Sequence, residues 1–399
     1  MSNRVAIVGT FSSRYEREKR GQHITELVYE TVSGLMKKLG MEMSQVDNIV
    51  SCSQDFLDGR TISNRTIPEA EGAFLKSEAK LAGDGSQAVF YGMIRILSGK
   101  YQNCLVLAHA KMSEGSQNVI ANAMFDPIFQ RALGLDEIIA AALQARAYMT
   151  RYHVSPEQTA AAAAKALTSA AKNKNVFRGK KITAKQVLAS KMLASPIHEL
   201  EAFVPADGAC ALMLASEEQA LKWTKNPVWI AGAGAAIEQY YLGDRELSSA
   251  RVLKEAAKRA YQMAGIKHPE KEIDLVELSN YFSFQELMYP EALGLCAPGK
   301  GAALLASGKT MADGKIPVNP SGGVLGGNPL CVSGLARVIE AANQIRGEAG
   351  SIQVKKPVKT ALAQGSYGPA GQSQCLLVLA ADQKIGLTKK SPARKKGKK

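Results

Sequence analysis

The chain has few aromatic residues, no long apolar run and no regularly spaced cysteines, and each absence excludes a class of protein. Aromatic residues make up 6% of its 399 positions, whereas 35 glycines and 46% apolar residues are typical of a packed α/β protein. No apolar run approaches about 18 residues, so we expect no membrane span. The first ten residues have the pattern of a strand and lack the features of a secretion signal.

The cysteines show neither the spacing of a disulfide framework nor that of a metal site. Most of them lie in apolar segments, which predicts reduced cysteines in the core of a cytoplasmic protein. We therefore expect no metal centre and no cofactor bound by this chain. The six are Cys52, Cys104, Cys210, Cys296, Cys331 and Cys375.

The net charge of +14 is concentrated near the C-terminus. Residues 384–399 hold eight Lys or Arg and no acidic residue, which leaves about +6 for the rest of the chain. With almost no apolar side chains, this tail is predicted to be disordered. It could contact nucleic acid, an acidic protein or anionic lipid. We favour a purely solubilising role and do not expect nucleic acid as a partner.

Strand and helix patterns alternate along the chain, as in α/β proteins. A length of at least 399 residues is enough for two or three domains or one large duplicated unit. Periodicity predicts strands at 4–8, 46–52, 103–108, 273–278, 360–364 and 375–379, and helices at 24–39, 87–97, 156–173, 251–264 and 334–344.

The two halves of the chain share a detailed pattern. Residues 39–51 and 264–279 each contain the end of a helix at a glycine, a short polar link, and an aspartate before a buried strand. A repeat of this length predicts two similar βα layers related by a pseudo-twofold axis. Residues 116–205 interrupt the pattern, and we interpret them as an inserted, partly helical segment.

Several sequence phrases occur in an order that is specific to one family. They are RVAIVG at 4–9, LVLAHAKMS at 105–113, the basic segment 178–190 followed by Ser195-Pro-Ile, DGACAL at 207–212, and NPSGG…GGNPLCVSG at 319–334. Together they resemble the thiolase superfamily, nearest its archaeal and sterol-carrier-type branch, up to about residue 383.

This resemblance implies an α/β thiolase fold with duplicated βαβαβ halves in a five-layered αβαβα arrangement. The N-terminal half would comprise residues 1–115 and 206–245, and the C-terminal half residues 246–383. An inserted loop domain at 116–205 would cover a tunnel for coenzyme A, and 384–399 would form the basic tail. The family also implies a homodimer core and an acyl-CoA substrate.

Thiolase chemistry needs a thiolate that accepts the acyl group, a histidine that activates it, and a second acid or base near the substrate α-carbon. This chain matches none of the three. The nucleophile position is Ala82, in the segment 78–89, and the histidine of the Gly-His-Pro phrase is Asn328. The second cysteine, of a His-Asp-Cys-Phe phrase, is replaced by Tyr281. We therefore do not expect chemistry through an acyl-cysteine.

Other features indicate an altered site. Tyr281 could act as an acid or base if its pKa were lowered, and Asn328 could donate to a thioester carbonyl. Asp84 lies at a helix N-terminus, where a simple helix cap is the alternative. Tyr281 and Asn328 could equally be structural. Backbone N–H groups at four glycines could bind an oxyanion; these are Gly83, Gly85, Gly323 and Gly327.

Three further residues and three cations lie near the expected site. Tyr367, Cys296 and Cys331 occur in loops that the family uses for its site, and either cysteine could be a displaced thiol. Arg178, Lys180 and Lys181 are candidates for binding the nucleotide end of coenzyme A, with a solvated basic link as the alternative.

Three functions remain open. We favour a lyase of retro-aldol type that forms or cleaves a C–C bond of a CoA thioester, as thiolase-like aldolases without the cysteine do. The second is an acyltransferase (β-ketothiolase) subunit. Either could pair with a small zinc-ribbon/OB-fold protein in a heterotetramer. The third is a non-catalytic CoA-binding or scaffold subunit.

Overall fold

The structure, a computed structural model, describes residues 4–381, so the predicted tail lies outside the described residues. Within that range the chain forms eleven strands. They are β1 (Val5–Ser12), β2 (Asn48–Cys52), β3 (Ser77–Leu81), β4 (Asn103–Lys111), β5 (Met192–Ala194), β6 (Ile197–His198), β7 (Asp207–Ser216), β8 (Val228–Ile237), β9 (Leu275–Leu278), β10 (Thr360–Tyr367) and β11 (Ser373–Ala380).

Thirteen α-helices lie in the same described range. They are α1 (Ile24–Leu39), α2 (Pro68–Glu71), α3 (Gly85–Leu97), α4 (Gln117–Ala123), α5 (Glu137–Tyr152), α6 (Pro156–Ala170), α7 (Ala184–Leu188), α8 (Glu217–Trp223), α9 (Arg251–Ala264), α10 (Pro269–Glu272), α11 (Gln285–Ala292), α12 (Gly301–Ala306) and α13 (Ser333–Arg346).

Nine of the strands form one mixed sheet in the order β3-β2-β4-β7-β1-β8-β11-β10-β9. Strands β2 and β4 are parallel, as are β9 and β10, and β1 is antiparallel to both of its neighbours. β1 thereby joins the strands of the two halves. Its pairing with β8 covers only two residue pairs, whereas its pairing with β7 runs along the whole strand.

Three hydrophobic cores show how helices and strands are layered. One core packs α1 against one face of β1, β2, β4 and β7, and a second packs α9 and α11 against β9, β10 and β11. The largest core lies between the two halves of the sheet and contains α3 and α13. This arrangement, helix–sheet–helix–sheet–helix, confirms the predicted five-layered α/β fold.

The central helices α3 and α13 are buried because they contact sheet on both sides. Eleven of the fourteen residues of α13 are buried, among them Arg337 and Glu340. A helix surrounded by protein must satisfy its polar side chains internally. Those buried charges therefore indicate an ordered hydrogen-bond network around α13.

Most predicted elements are confirmed, and the differences concern their ends. Helices α1 and α9 have the predicted bounds, and both end at a left-handed glycine, Gly40 (φ 63°) and Gly265 (φ 74°). Strand β2 begins at Asn48, two residues later than predicted, because a 3-10 turn at 43–45 precedes it. Helix α6 ends at Ala170, three residues earlier than predicted.

The segment 116–205 contains α4 to α7 and the two-stranded sheet of β5 and β6, and no strand from it joins the nine-stranded sheet. The proposed domain limits stay predictions. Among residues 4–381, no helix is long and apolar enough to cross a membrane. Five of the six cysteines are buried, Cys296 is partly exposed, and all are free thiols.

Candidate functional site

The turn between β3 and α3 carries the expected nucleophile position. Ala82 follows the last residue of β3 and is exposed, and Gly83 leads into Asp84, which caps the helix that begins at Gly85. The backbone thus makes a strand–turn–helix elbow at the predicted place. Its outward-facing residue has only a methyl group, which cannot accept an acyl group.

Asp84 joins the N-termini of both central helices. Its carboxylate accepts hydrogen bonds from the backbone N–H and hydroxyl of Ser86 on α3 (2.9 and 2.5 Å) and from the N–H of Gly334 on α13 (2.9 Å). Burial raises its pKa to about 6, although these hydrogen bonds act to lower it. Asp84 is therefore a helix cap, and its charge lies at the centre of the molecule.

Tyr281 is buried after β9, and its hydroxyl donates to the carbonyl of Leu330 at 2.9 Å. Its ring makes an edge-to-face contact with Phe203 of the 116–205 segment (5.7 Å between centroids). Burial, reinforced by the nearby charge of Asp84, raises the pKa of the phenol well above its usual value. The lowered pKa that easy proton abstraction would require is absent, so the phenol is protonated at neutral pH.

Asn328 is fully buried in a network that the sequence did not reveal. Its Nδ2 donates to the carbonyl of Gly323 (3.2 Å), and its Oδ1 accepts from the guanidinium of Arg337 (2.8 Å). Arg337 also forms a buried ion pair with Glu277 (2.6 Å). The second N–H of the Asn328 amide takes no part in these hydrogen bonds. Its donation to the carbonyl of a thioester substrate stays a prediction.

The four candidate oxyanion glycines are tightly packed against protein atoms. A Cβ at Gly323 would collide with the side chain of Asn280, and one at Gly327 with the ring of Phe177. Both also have positive φ angles, 60° and 96°, which L-residues rarely adopt. A Cβ at Gly83 or Gly85 would collide with neighbours as well. Packing or backbone conformation accounts for Gly85, Gly323 and Gly327, whereas at Gly83 the only neighbour is the end of the Gln87 side chain. The oxyanion role of all four stays a prediction.

The three candidate CoA-binding cations differ in their surroundings. The guanidinium of Arg178 donates to the carbonyls of Ala202 (2.5 Å) and Glu199 (2.6 Å), which fixes it within the 116–205 segment. Its backbone N–H donates to Gly326, so this residue holds the segment against the glycine loop. The side chains of Lys180 and Lys181 are exposed and are accessible to an anion.

A single loop, residues 328–334, brings the candidate catalytic residues together. Asn328 begins this loop, its Leu330 carbonyl accepts from Tyr281, and its Gly334 N–H donates to Asp84. Tyr367 lies near Cys331 of this loop, which contributes to the raised pKa of the Tyr367 phenol. Burial is the main cause of that rise, to about 12. Tyr281, Asn328 and Asp84 therefore meet at one loop, whereas the three candidate cations lie in the 116–205 segment.

Both candidate thiols, Cys331 in this loop and Cys296 between α11 and α12, are in a protonated, unreactive state. Burial raises the pKa of Cys331 well above its usual value, and its Sγ lies 3.3 Å from the carbonyl of His109. Burial likewise raises the pKa of Cys296 to about 12. Neither cysteine has the lowered pKa of a nucleophile. Within residues 4–381, no group of three or more His, Cys, Asp or Glu could hold a metal ion.

Sequence reasoning missed the buried pair of Glu277 and Arg337 and the hydroxyl of Ser321 between them. Ser321 donates to Glu277 (2.6 Å) while Arg337 donates to Ser321 (2.5 Å). Burial raises the pKa of Glu277. A charged residue within the apolar strand Leu275–Leu278 was the signal that could have identified this pair.

Comparison with known proteins agrees with the layered α/β fold described above. Residues 234–381 match the family described as "Thiolase C-terminal domain-like". An acetyl-CoA acetyltransferase of Methanothermobacter thermautotrophicus is 29% identical over 88% of this chain and 93% of its own length. A solved "Ltp2-ChsH2(DUF35) aldolase" has a TM-score of 0.82 at 22% identity, over 96% of this chain and 99% of that one. The chain is a member of the thiolase superfamily.

Within this superfamily the chain also resembles a protein named as one subunit of a larger enzyme. The benzoylsuccinyl-CoA thiolase subunit BbsB of Thauera aromatica is 31% identical over 57% of this chain and 59% of its own length. Membership in the superfamily fits the helix–sheet layering described above. That Ala82, Tyr281 and Asn328 stand at the family's catalytic positions stays a prediction from the sequence phrases.

Proposed function

We propose that this chain cleaves or forms a C–C bond of a coenzyme A thioester without an acyl-cysteine, by retro-aldol chemistry. The observation that carries the proposal is the 328–334 loop, which connects a buried phenol, an amide and a carboxylate beside a nucleophile position that has no thiol. Relatives named for acetyl-CoA and benzoylsuccinyl-CoA support a CoA thioester as the substrate, and the neighbour named an aldolase supports the reaction type. No cofactor is required.

The proposed reaction balances without free coenzyme A. A 3-hydroxyacyl thioester loses the proton of its β-hydroxyl, the bond between the α- and β-carbons breaks, and the electron pair forms the enolate of the shortened thioester. The α-carbon then takes up a proton, and the β-carbon leaves as a ketone or aldehyde. Tyr281, held protonated by its raised pKa, would relay the proton: as its oxygen takes up the β-hydroxyl proton, its own proton passes to the α-carbon, so the phenol is unchanged at the end.

Asn328 and the glycine loops would stabilise the enolate oxygen through N–H donors. Stabilising the charge that develops in the transition state is usually the largest single contribution to the rate. Asp84 would act indirectly, because its carboxylate is already occupied by the two helix N-termini. Its negative charge favours the protonated phenol of Tyr281. Lys180 and Lys181 would contact the nucleotide phosphates, with Arg178 holding the segment that presents them.

The proposed assembly is a homodimer that pairs with a small zinc-ribbon/OB-fold protein to give a heterotetramer. The aldolase of similar fold, which is named for Ltp2 and the DUF35 protein ChsH2, supports such a partner. The free edge of β3 and the exposed side chains of Phe74 and Leu75 (73 and 91% exposed) support self-association. A cytoplasmic location stays a prediction.

The decisive experiment is product analysis by mass spectrometry after incubating the purified protein with 3-hydroxyacyl- and 3-oxoacyl-CoA thioesters, with and without free coenzyme A. We expect a shortened acyl-CoA from the 3-hydroxy substrates that does not depend on added coenzyme A. Cleavage of 3-oxo substrates that requires coenzyme A would show thiolysis and contradict the proposal. Binding without any product, also after addition of the zinc-ribbon partner, would favour a non-catalytic subunit.

A further inference from the structure

A cavity that no residue of the 328–334 loop lines lies beside α6. One face of this helix forms its wall, with Ala161, Ala164 and Thr168 at spacings of three and four residues. The opposite wall comes from the segments 305–313 and 351–355, and Pro320 closes one end. Its volume is about 650 Å³, within the range of small-molecule sites in proteins.

This cavity is separate from the candidate active site. None of the candidate catalytic, oxyanion or CoA-binding residues lines it. Helix α6 lies between the two places, because Ala170 at its C-terminal end packs against Gly322 and Gly326 of the glycine loop. A ligand in the cavity would therefore contact the helix that supports the glycine loop, without contacting Tyr281 or Asn328.

The charges around the cavity favour a ligand with a single negative charge. Lys165 is buried, and its ammonium is neutralised by Glu286 and bonded to the carbonyl of Val318. Lys172 and Lys355 are exposed at the rim, opposed there by one acid, Asp313. The uncompensated rim charge is thus about one positive unit. A polyphosphate carries several negative charges and would exceed it.

The remaining lining is mainly aliphatic. Ile182, Leu305, Met311, Ile352 and Val354 supply apolar side chains on several sides. The hydroxyl of Ser169 is half-buried in the same wall and can donate a hydrogen bond to an anion at the rim. An occupant that complements both features has an aliphatic chain and one anionic head group.

We propose that this cavity binds an aliphatic monocarboxylate, with its chain along α6 and its carboxylate between Lys172 and Lys355. The carboxylate accepts charge-assisted hydrogen bonds from the two ammonium groups. Burial of the chain against the aliphatic lining supplies the rest of the affinity. This site does not depend on the proposed lyase activity, because binding requires no reaction.

The test uses isothermal titration calorimetry of the full-length protein with decanoate. We expect one decanoate to bind per chain, and the double variant Lys172→Ala/Lys355→Ala to bind about tenfold more weakly. Lys174→Ala is the matched control, since Lys174 is exposed on the same stretch of chain and does not line the cavity. Ala161→Trp places an indole in the cavity and should abolish binding, with folding checked by circular dichroism.

Four outcomes would overturn the proposal. The first is no binding of decanoate at millimolar concentration, and the second is binding by the double lysine variant as tight as that of the unchanged protein. Decanol binding as tightly as decanoate would show that the carboxylate is not recognised. Competition between decanoate and coenzyme A, lost together in Ala161→Trp, would assign the cavity to the CoA site. Product analysis of the unchanged protein tests the lyase activity independently.

Discussion

At the residue scale, Tyr281 is the side chain on which the proposed chemistry depends. Tyr281→Phe removes one oxygen and keeps the ring contact with Phe203. We therefore expect turnover to fall at least about a hundredfold, the usual contribution of general acid–base catalysis, while substrate affinity is retained. The measurements are kcat by product analysis and Kd by calorimetry.

The chain offers a matched control for this substitution. Tyr261 is a half-buried tyrosine whose hydroxyl, like that of Tyr281, donates to a backbone carbonyl, that of Leu293, at 2.9 Å. Tyr261→Phe thus removes a similar hydrogen bond far from the 328–334 loop and should leave kcat unchanged. Equal losses in both variants would show that Tyr281 is merely structural.

A second residue-scale prediction concerns His109, which is fully buried and has no hydrogen-bond partner at either ring nitrogen within the described residues. Burial, with Lys80 nearby, lowers its pKa to about 3. Between pH 6.5 and 3 the unfolded chain therefore binds a proton that the folded protein does not. This difference lowers the free energy of unfolding as the pH falls, by about 2 kcal/mol at pH 5.

His109→Leu removes this titration and the two unsatisfied nitrogens. We expect the variant to be at least as stable as the unchanged protein at pH 7, and its advantage to grow by about 2 kcal/mol at pH 5. Urea unfolding at the two pH values measures this. His268→Leu, at an exposed histidine, should show no such growth. An advantage for His109→Leu that is independent of pH would refute the buried neutral imidazole.

At the element scale, the two central helices and β10 converge on one carboxylate. A Cβ at Gly334 or Gly365 would collide with Asp84. Gly334→Ala alone should therefore cost about 3 kcal/mol through overpacking. In an Asp84→Ala background the obstructing atoms are gone, so the same change should cost close to nothing.

A double-mutant cycle measured by urea unfolding tests this convergence. The expected coupling free energy between positions 84 and 334 is about 3 kcal/mol in favour of the double variant. Gly92→Ala is the control, since a Cβ at Gly92 of α3 would approach Leu214 and Val106 at 3.1 Å and would not touch Asp84. Additive effects at 84 and 334 would contradict the structure.

The elements also show where the sequence is informative. Helices α1 and α9 were predicted with their observed bounds, because apolar periodicity and a terminal glycine mark them locally. Strand β3, Ser-Glu-Ala-Lys-Leu, was not predicted as a strand, because it has no β-branched or aromatic residue. It is a strand because its backbone pairs with β2.

The site was predictable only in part, for a similar reason. The order of sequence phrases located Ala82, Asn328 and Tyr281, and the structure places them around one loop. The sequence could not show that Arg337 occupies the amide oxygen of Asn328, or that burial raises the pKa of Tyr281. Both depend on contacts between distant segments, which a single sequence does not reveal.

At the scale of the whole molecule, one prediction concerns assembly. If the β3 edge and the exposed Phe74 form the proposed dimer interface, Phe74→Lys should weaken self-association about thirtyfold or more, as loss of a central interface residue does. Sedimentation velocity across a range of protein concentrations measures this. Leu221→Lys, at an exposed leucine of α8, should leave association unchanged. A monomeric unchanged protein would contradict the interface.

The central position of β1 has a consequence for synthesis of the protein. β1 leaves the ribosome well before its two neighbours, β7 and β8, which begin at Asp207 and Val228. At about 5–20 residues per second, β1 waits on the order of 10–40 s for a partner. During that time its apolar residues are exposed on the nascent chain, so the growing polypeptide is most vulnerable to aggregation before β7 emerges.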